Sequence, residues 1–378
     1  MLNIILLGIT SLLTDASTEM VYPLIPLYLS VRLGVGPAVI GLIEGVAESL
    51  ASLLKLFSGN FSDRIRRRKP LTIFGYSFSS IGKLILYVAN AWGLVFLARV
   101  VDRIGKGVRT APRDALIADS TPTKRLGMAY GLHRAMDTLG AAIGVSFAII
   151  LMRLSHSNYH EVFLLAVIPA VLAVFFLFFT KEKLAQVKFE RKPSVQLNWR
   201  MLPRRLKLFL IIVFLFALGN SSNLFLLLRA KNLGLSVETV LLVYLFYNLV
   251  YGSFAFPIGR ISDRIGKKKV LVIGYLVYGL VYFGFAIIFK PGLLWLLFGF
   301  YGLYSAFTEG IEKALVAEIA PEAIRGTLIG LHAALVGIGL FPASLLAGML
   351  WKFFGAAAPF YFGGTLGILS AVGLAIIL

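Results

Sequence analysis

Ionisable side chains recur at helical spacing inside long apolar stretches of this chain. Asp15 and Glu19 are four residues apart in the first stretch, and Glu44 and Glu48 repeat that spacing in the second. Residues four apart share a helix face, and an ionisable residue inside a membrane span is a functional candidate by default, because its insertion costs roughly 2.5–3.5 kcal/mol. Others of this kind in the first half are Lys83, Arg103, Lys106, Arg109, Asp114, His133, Arg134 and Asp137.

These residue types suit proton transfer. A carboxylate or a histidine gains and loses a proton as burial and neighbouring cations change around it. The predicted proton-coupling residues are Asp15, Glu19, Arg103, His133 and Asp137. The alternative for each residue is an interior salt bridge that neutralises charge without touching a solute.

Basic side chains in the same half suit anion binding, since arginine pairs bidentately with carboxylate and phosphate. The spans of the second half carry fewer ionisable residues, namely Glu309, Glu312, Lys313 and His332, together with neutral amides. His332, which repeats His133, is expected to be a helix-packing histidine. The predicted solute-binding residues are Glu44, Glu48, Lys83, Lys106, Arg109, Arg134, Asn220, Asn223, Asn248 and Glu309.

Metal and enzyme chemistry find little support. The chain has no cysteine and only 4 histidines, which do not cluster with carboxylates, so we expect no metal site and no cofactor. It also lacks a phosphate-binding glycine loop and a nucleophile elbow. A membrane enzyme or a receptor is therefore kept only as an alternative.

The elements that must position these residues are membrane helices. The chain of 378 residues is 58% hydrophobic and 15% charged, and its mean hydropathy is +0.86. A soluble domain of this composition would expose large apolar patches, whereas a span needs about 20 apolar residues. The runs are continuous, which excludes the alternating pattern of a membrane barrel. About twelve helical spans are predicted near 3–30, 36–60, 71–90, 93–118, 127–152, 161–180, 207–228, 238–260, 270–290, 292–318, 327–351 and 358–378.

The net charge of +19 is placed as a membrane protein requires. With the amino terminus in the cytoplasm, the inward loops carry twenty lysines and arginines and the outward loops carry six, as the positive-inside rule expects. Both termini are therefore predicted to be cytoplasmic, and a nucleic-acid partner is not expected.

Two segments of the chain repeat at an offset of about half its length. Residues 59–65 (GNFSDRI) reappear as 259–265 (GRISDRI), and 131–133 (GLH) reappear as 330–332. Parallel repeats of this kind place solute sites between the two halves. We therefore predict a six-helix bundle at 1–180, a cytoplasmic linker at 181–206 and a second six-helix bundle at 207–378.

Both copies of the repeated loop resemble a signature of the major facilitator superfamily, G-x-x-x-D-R-x-G-R-[RK]. Gly59, Asp63, Arg64, Arg67 and Arg68 fit it in the first copy, where Arg66 replaces the second glycine, and Gly259, Asp263, Arg264, Gly266, Lys267 and Lys268 fit it in the second. The resemblance implies a charge-relay latch that stabilises one alternating-access state, to which we also assign Asp114. The alternative is a basic loop that only sets topology.

The fourth and fifth spans resemble two further signatures of that superfamily. In R-x-x-Q-G-x-G-A-A, Arg103 takes the place of the arginine tied to proton coupling in drug exporters, while Lys106 and Arg109 depart from the pattern. In the antiporter signature G-x8-G-P-x-x-G-G, Gly140 and Gly144 fit, but Ala141 replaces the proline.

The resemblance implies a twelve-span, monomeric secondary transporter of the cytoplasmic (inner) membrane. We expect it to couple a small solute to protons by alternating access. An anionic organic solute, such as a polycarboxylate, is preferred because it suits the basic residues Lys83, Arg103, Lys106, Arg109 and Arg134. The siderophore type is added because 102–119 and 131–137 resemble a bacterial subgroup that includes candidate siderophore transporters. A drug-like amphiphile exchanged for protons is the alternative.

Overall fold

The computed structural model describes residues 2–65, 67–121, 126–182, 202–319 and 325–377. Every regular element within these ranges is helical. The long helices are α1 (Leu2–Val21), α2 (Pro37–Ile65), α3 (Lys69–Tyr87), α4 (Trp92–Asp119), α5 (Leu126–Leu154), α6 (Tyr159–Phe178), α7 (Arg204–Gly219), α8 (Leu224–Asn232), α9 (Val237–Ile265), α10 (Lys267–Ile287), α11 (Leu294–Ile319), α12 (Arg325–Phe354) and α13 (Ala358–Ile377).

Nine helical segments among the described residues are long and apolar enough to cross a membrane. The three helices outside that set are α3, α4 and α11, and α4 shows why composition misses them. Its charged residues Arg99, Asp102 and Arg103 are buried, whereas large apolar side chains such as Leu94 and Leu97 on the same helix are exposed. With α7 and α8 forming one span, the all-α, twelve-span architecture expected from the sequence is confirmed.

The contacts divide the chain into two compact units. The first unit comprises Met1–Gly36, Val46–Ala185 and Ser236–Leu245, and the second comprises Pro37–Gly45, Gln186–Leu235 and Phe246–Leu378. Each unit therefore includes the beginning of one helix from the other sequence half. The linker at 181–206 stays a prediction, because most of it lies outside the described residues.

Glycines allow the close helix packing of the first unit, where α3 packs against α4 and α1 packs against α5 and α6. A Cβ atom at Gly105 of α4 would lie 2.6 Å from Ser79 Oγ of α3. One at Gly140 of α5 would collide with the backbone oxygen of Leu12. Small residues at such crossings let helix backbones approach, so these two glycines fix where the charged residues of α1, α3 and α4 lie.

The seventh span is broken within the second unit. Helix α7 ends at Gly219 and α8 begins at Leu224, as expected for a segment rich in serine and asparagine, whose side chains compete with helical hydrogen bonds. The Tyr278 hydroxyl donates to the Gly219 carbonyl at 2.7 Å, and the Ser222 N–H donates to Ser344 Oγ at 3.2 Å. Irregular backbone at membrane depth is tolerated where it is buried in protein or lines a cavity.

Candidate functional site

Helices α2 and α4 bring opposite charges together in the first unit. Glu48 Oε1 lies 2.8 Å from Arg103 Nε and 3.8 Å from Arg99 Nη2. The arginines are buried, and the Glu48 side chain is 23% exposed. The guanidinium carbon of Arg99 also lies 5.5 Å from the ring centroid of Tyr22, within the range of a cation–π contact. Glu48 is thus held between two arginines rather than left open to a solute.

Asp102 forms the second part of this charge cluster. Its Oδ1 lies 3.7 Å from Lys83 Nζ of α3, and its Oδ2 lies 3.6 Å from Arg103 Nη1. Lys83 also donates to Thr18 Oγ1 of α1 at 3.4 Å. Buried charges are costly unless they are paired, so the geometry of Lys83 and Arg103 fits the salt-bridge alternative.

Two further cations on α4 differ in their surroundings. Arg109 donates from Nη1 to Ser79 Oγ at 2.5 Å, and its guanidinium carbon lies 4.4 Å from the ring centroid of Tyr76. Lys106 has no ion pair within the described part of the chain, although Glu48 and Asp15 attract its charge. Of these two cations, Lys106 is therefore the less constrained and the freer to meet a ligand.

Glu19 of α1 faces this charge cluster. Tyr244, at the beginning of α9, donates from its hydroxyl to Glu19 Oε2 at 3.0 Å. The charges of Lys106 and Arg103 attract the Glu19 carboxylate, and that of Asp15 repels it. A carboxylate with one fixed neutral donor and balanced charges around it has the surroundings that a proton carrier needs.

Asp15 lies one helical turn earlier and is partly buried. The Asp137 carboxylate of α5 repels it, whereas Arg109 and Arg113 attract it. Asp137 is itself 3.4 Å from His133 Nδ1, with Oδ2 as the contact atom. The structure therefore brings four of the predicted proton-coupling residues, Asp15, Glu19, Arg103 and Asp137, into one electrostatic cluster with His133 at its edge.

Three of the predicted solute-binding residues lie elsewhere. Glu44 is buried in the short α2 segment that belongs to the second unit, Arg134 is exposed on α5, and Asn248 is partly buried on α9. The i,i+4 spacing of Glu44 and Glu48 thus does not place both carboxylates in the same cluster.

The glycines of the two copies of the loop signature differ in their surroundings. In the first copy, Gly59 faces the Cβ of Ala111 and Arg67 is exposed, while the side chains of Asp63 and Arg64 lie outside the described residues. In the second copy, Gly259 has open space around it and the Arg264 side chain is exposed.

Two acidic residues assigned to the latch have basic partners. Asp263 is 72% exposed, with its Oδ1 3.5 Å from Lys267 Nζ, and Lys267 Nζ also lies 2.8 Å from Glu318 Oε2. Asp114 accepts from its neighbour Arg113, with Nη2 to Oδ1 at 2.8 Å.

The second unit contains a cavity of about 190 Å³ beside the break in the seventh span. It lies among α7, α9, α11 and α12, and three of the predicted solute-binding residues, Asn220, Asn223 and Glu309, line it. The rest of the polar lining is largely hydroxyl groups and a second carboxylate. These lining residues are Tyr247, Tyr301, Tyr304, Ser305, Thr308 and Glu312.

Sequence reasoning missed a buried carboxylate–imidazole pair at the edge of this cavity. His332 Nε2 of α12 lies 3.2 Å from Glu312 Oε2 of α11, and the Tyr275 hydroxyl donates to Glu312 Oε1 at 2.9 Å. His332 also stacks on Phe209 with ring centroids 6.4 Å apart, so it packs between helices as expected and bonds to an acid as well. The available signal was that Glu312 is ionisable and lies within an apolar span.

A helical membrane protein with twelve spans, buried ion pairs in one unit and a polar cavity in the other has the design of a solute carrier. The family model described as Major Facilitator Superfamily matches residues 7–228 and 208–378. The chain belongs to this superfamily of transporters.

Similar proteins agree with this assignment. An MFS-type transporter of Methanocaldococcus jannaschii is 38% identical over 98% of this chain and 93% of its own length. The multidrug resistance protein MdtG of Proteus mirabilis is 26% identical over 95% of this chain and 92% of its own length. Among solved structures, the nucleoside transporter NupG has a TM-score of 0.83 at 16% identity, covering 100% of both chains. A D-xylose–proton symporter has a TM-score of 0.80 at 17% identity, covering 99% of this chain and 97% of its own.

Proposed function

We propose that this transporter moves an amphipathic organic solute by alternating access and couples the movement to protons. The observation that carries this proposal is the contrast in charge pairing. Two of the cations that could have held an anionic solute, Lys83 and Arg103, are engaged with acids inside the first unit. The cavity in the second unit is lined by aromatic rings, amides and acids. The name of the similar protein MdtG supports the same solute class.

Asp15 and Glu19 are proposed to carry the proton. Both are on α1, and cations of α4 attract both carboxylates. The neutral Tyr244 hydroxyl donates a hydrogen bond to Glu19. Arg103 is proposed to set the charge balance through its pair with Glu48, with Asp137 and His133 as a neighbouring acid–base pair. Loss of a proton from either α1 carboxylate would strengthen its attraction to Lys106 and change the charge that the moving helices carry.

Proteoliposomes with an imposed pH gradient test this function. The probes are Nile red as a neutral amphiphile, ethidium as a cationic one and citrate as a polycarboxylate, with a pH-sensitive dye in the lumen. We expect gradient-driven flux of an amphiphile, which Asp15→Asn and Glu19→Gln abolish, while Glu161→Gln, a substitution in the first turn of α6, retains it. Equal flux with and without the gradient, in the original chain and in both α1 variants, would contradict the proposal.

An anionic solute is the second candidate, and Lys106 supports it, since it has no ion pair within the described residues. Citrate flux that is lost in Lys106→Gln, with no flux of either amphiphile, would favour this candidate.

The remaining expectations belong to the same proposal. We also propose that the transporter is a monomer of the cytoplasmic membrane with both termini inside. The excess of basic residues in the inward loops supports the position of the termini.

A further inference from the structure

The cavity of the second unit is walled by aromatic rings that are held in place by their own hydroxyl groups. The Tyr301 hydroxyl donates to Asn223 Oδ1 at 2.7 Å, and Asn220 Nδ2 donates to the Tyr304 hydroxyl at 2.9 Å. The Tyr247 hydroxyl lies 3.3 Å from Ser305 Oγ. We call Tyr247, Tyr301 and Tyr304 the tyrosine cage. Because its hydroxyls are engaged with the wall, what the cage offers a ligand is mainly ring surface.

The rings of the cage lie close enough to act on one ligand group. Ring centroids are 5.3 Å apart for Tyr247 and Tyr301 and 5.1 Å apart for Tyr301 and Tyr304. All three tyrosines are buried. Aromatic faces carry partial negative charge, and several rings around one point bind quaternary ammonium groups.

Two carboxylates add negative charge to the same cavity. Glu309 lines it and accepts a hydrogen bond from the Tyr251 hydroxyl. Glu312 lines it and is bonded by Tyr275 and His332. No lysine or arginine is among the described residues of the lining. Ring faces and acids therefore both favour a positive charge here, and nothing in the lining favours a negative one.

The size of the cavity limits what enters it. A volume of about 190 Å³ corresponds to roughly six waters at about 30 Å³ each, and it is below the 300–1,000 Å³ typical of sites for drug-sized ligands. It therefore fits the head group of an amphiphile and not the whole molecule.

We propose that the tyrosine cage, with Glu309 and Glu312, binds the ammonium head group of an organic cation. This assignment rests on the proposed transport of amphipathic solutes and specifies their charge. The cage supplies ring faces to the alkyl groups of the ammonium ion, and Glu309 supplies the opposite charge.

Equilibrium binding to the purified full-length chain tests this proposal without any proton gradient. The probes are choline and its uncharged isostere 3,3-dimethyl-1-butanol, titrated by calorimetry in detergent. We expect choline to bind at least about tenfold more tightly, a difference of about 1.4 kcal/mol. Glu309→Gln should remove most of that preference, whereas Glu161→Gln, which removes a charge outside the cavity, should retain it.

A pair of variants at Tyr304 separates ring chemistry from folding. Tyr304→Phe keeps the ring and should keep choline binding within about threefold. Tyr304→Leu removes the ring and should weaken choline binding about tenfold, which is about 1.4 kcal/mol and within the range of a cation–π contact. Equal affinity for choline and its isostere, or an unchanged choline affinity in Glu309→Gln and Tyr304→Leu alike, would overturn the cage.

Failure of the cage is distinguishable from failure of the proposed function. Proton-driven flux of Nile red together with no preference for choline would leave the transport function standing and remove the cation site. Choline binding that depends on Glu309, without gradient-driven flux of any probe, would support the cation site and contradict the proposed transport function.

Discussion

The two units handle polar groups in different ways. In the first unit, buried arginines and a lysine are matched to Glu48 and Asp102 at 2.8–3.8 Å. In the second, tyrosines, amides and two acids surround a cavity, and the bonds that hold them are mostly hydrogen bonds to neutral partners.

This difference shows that the two copies of a duplicated fold can stabilise buried polar groups by different interactions. Charge pairs resist separation because each partner, once alone, is a buried ion, so they suit a region that must keep its charge balance while protons come and go. Neutral hydrogen bonds are individually weaker, so a wall built from them adapts more readily to a ligand. The repeat preserved the helices and let the chemistry of the two halves diverge.

The largest expected effect is on the charge pair of the first unit. Glu48→Gln removes the closer of the two acids paired with Arg103 and leaves Asp102 at 3.6 Å. It should lower the free energy of unfolding by about 3 kcal/mol, the lower end of the range for a broken buried pair, because Asp102 remains and the Glu48 side chain is 23% exposed. Glu309→Gln is the matched control and should change it much less. Denaturant titration in detergent measures both, and equal losses would erase the contrast between the units.

The next largest difference is expected between two helix glycines, one from each unit. Gly105→Ala introduces a Cβ atom 2.6 Å from Ser79 Oγ, so overpacking should cost about 1–3 kcal/mol. Gly259 has open space, and Gly259→Ala should be neutral or stabilise by up to about 1 kcal/mol, since alanine favours a helix over glycine. The same titration measures the pair, and a stable Gly105→Ala variant would show that this contact is not tight.

The two copies of the loop signature should differ in their control of the conformational states. Asp63→Asn is expected to change the labelling rate of engineered cavity cysteines about fivefold, a coupling of about 1 kcal/mol, and Asp263→Asn by less, because Asp263 is 72% exposed. The chain has no cysteine of its own, so the labelling has no background. Identical labelling rates in Asp63→Asn and the original chain would contradict the hypothesis that the first loop copy acts as a latch.

The smallest effect is expected at Lys267. Its contacts with Asp263 and Glu318 involve acids that are 72% and 58% exposed, and surface pairs of this kind contribute about 0–1 kcal/mol. Lys267→Gln should therefore leave the free energy of unfolding within about 1 kcal/mol of the original value. A larger loss would mean that the second copy of the loop is a structural element comparable to the charge cluster.

Much of the fold could be predicted because each membrane span requires about 20 mainly apolar residues, and such runs are visible in the sequence. Long apolar runs predicted the spans, and the excess buried charge of the first half was visible as ionisable residues inside them. The sequence did not show which of these charged side chains pair with one another. Glu44 and Glu48 have the same spacing as Asp15 and Glu19, yet they belong to different units, because helix packing and not sequence distance decides which side chains meet.

The second half was harder to predict for a related reason. Tyrosine is common at membrane interfaces, so composition alone did not indicate a cage. Arg229 follows directly after the span predicted at 207–228, yet it is buried on α8 and donates to the carbonyls of Phe285, Ala286 and Ile288 at the end of α10. Residues of this kind are identified by the backbone groups that they satisfy, and those groups become known only when the helices are placed.

The interruption of the seventh span has a mechanical consequence. An unbroken helix behaves as a single rod, and a force on one end is transmitted to the other through its ladder of backbone bonds. Between Gly219 and Leu224 that ladder stops, and the joint is held by a phenol and a hydroxymethyl group from neighbouring helices. Tyr278 also packs on Tyr304 of the cavity wall, with ring centroids 4.8 Å apart, so a ligand that displaces Tyr304 is expected to move the joint between the two helices.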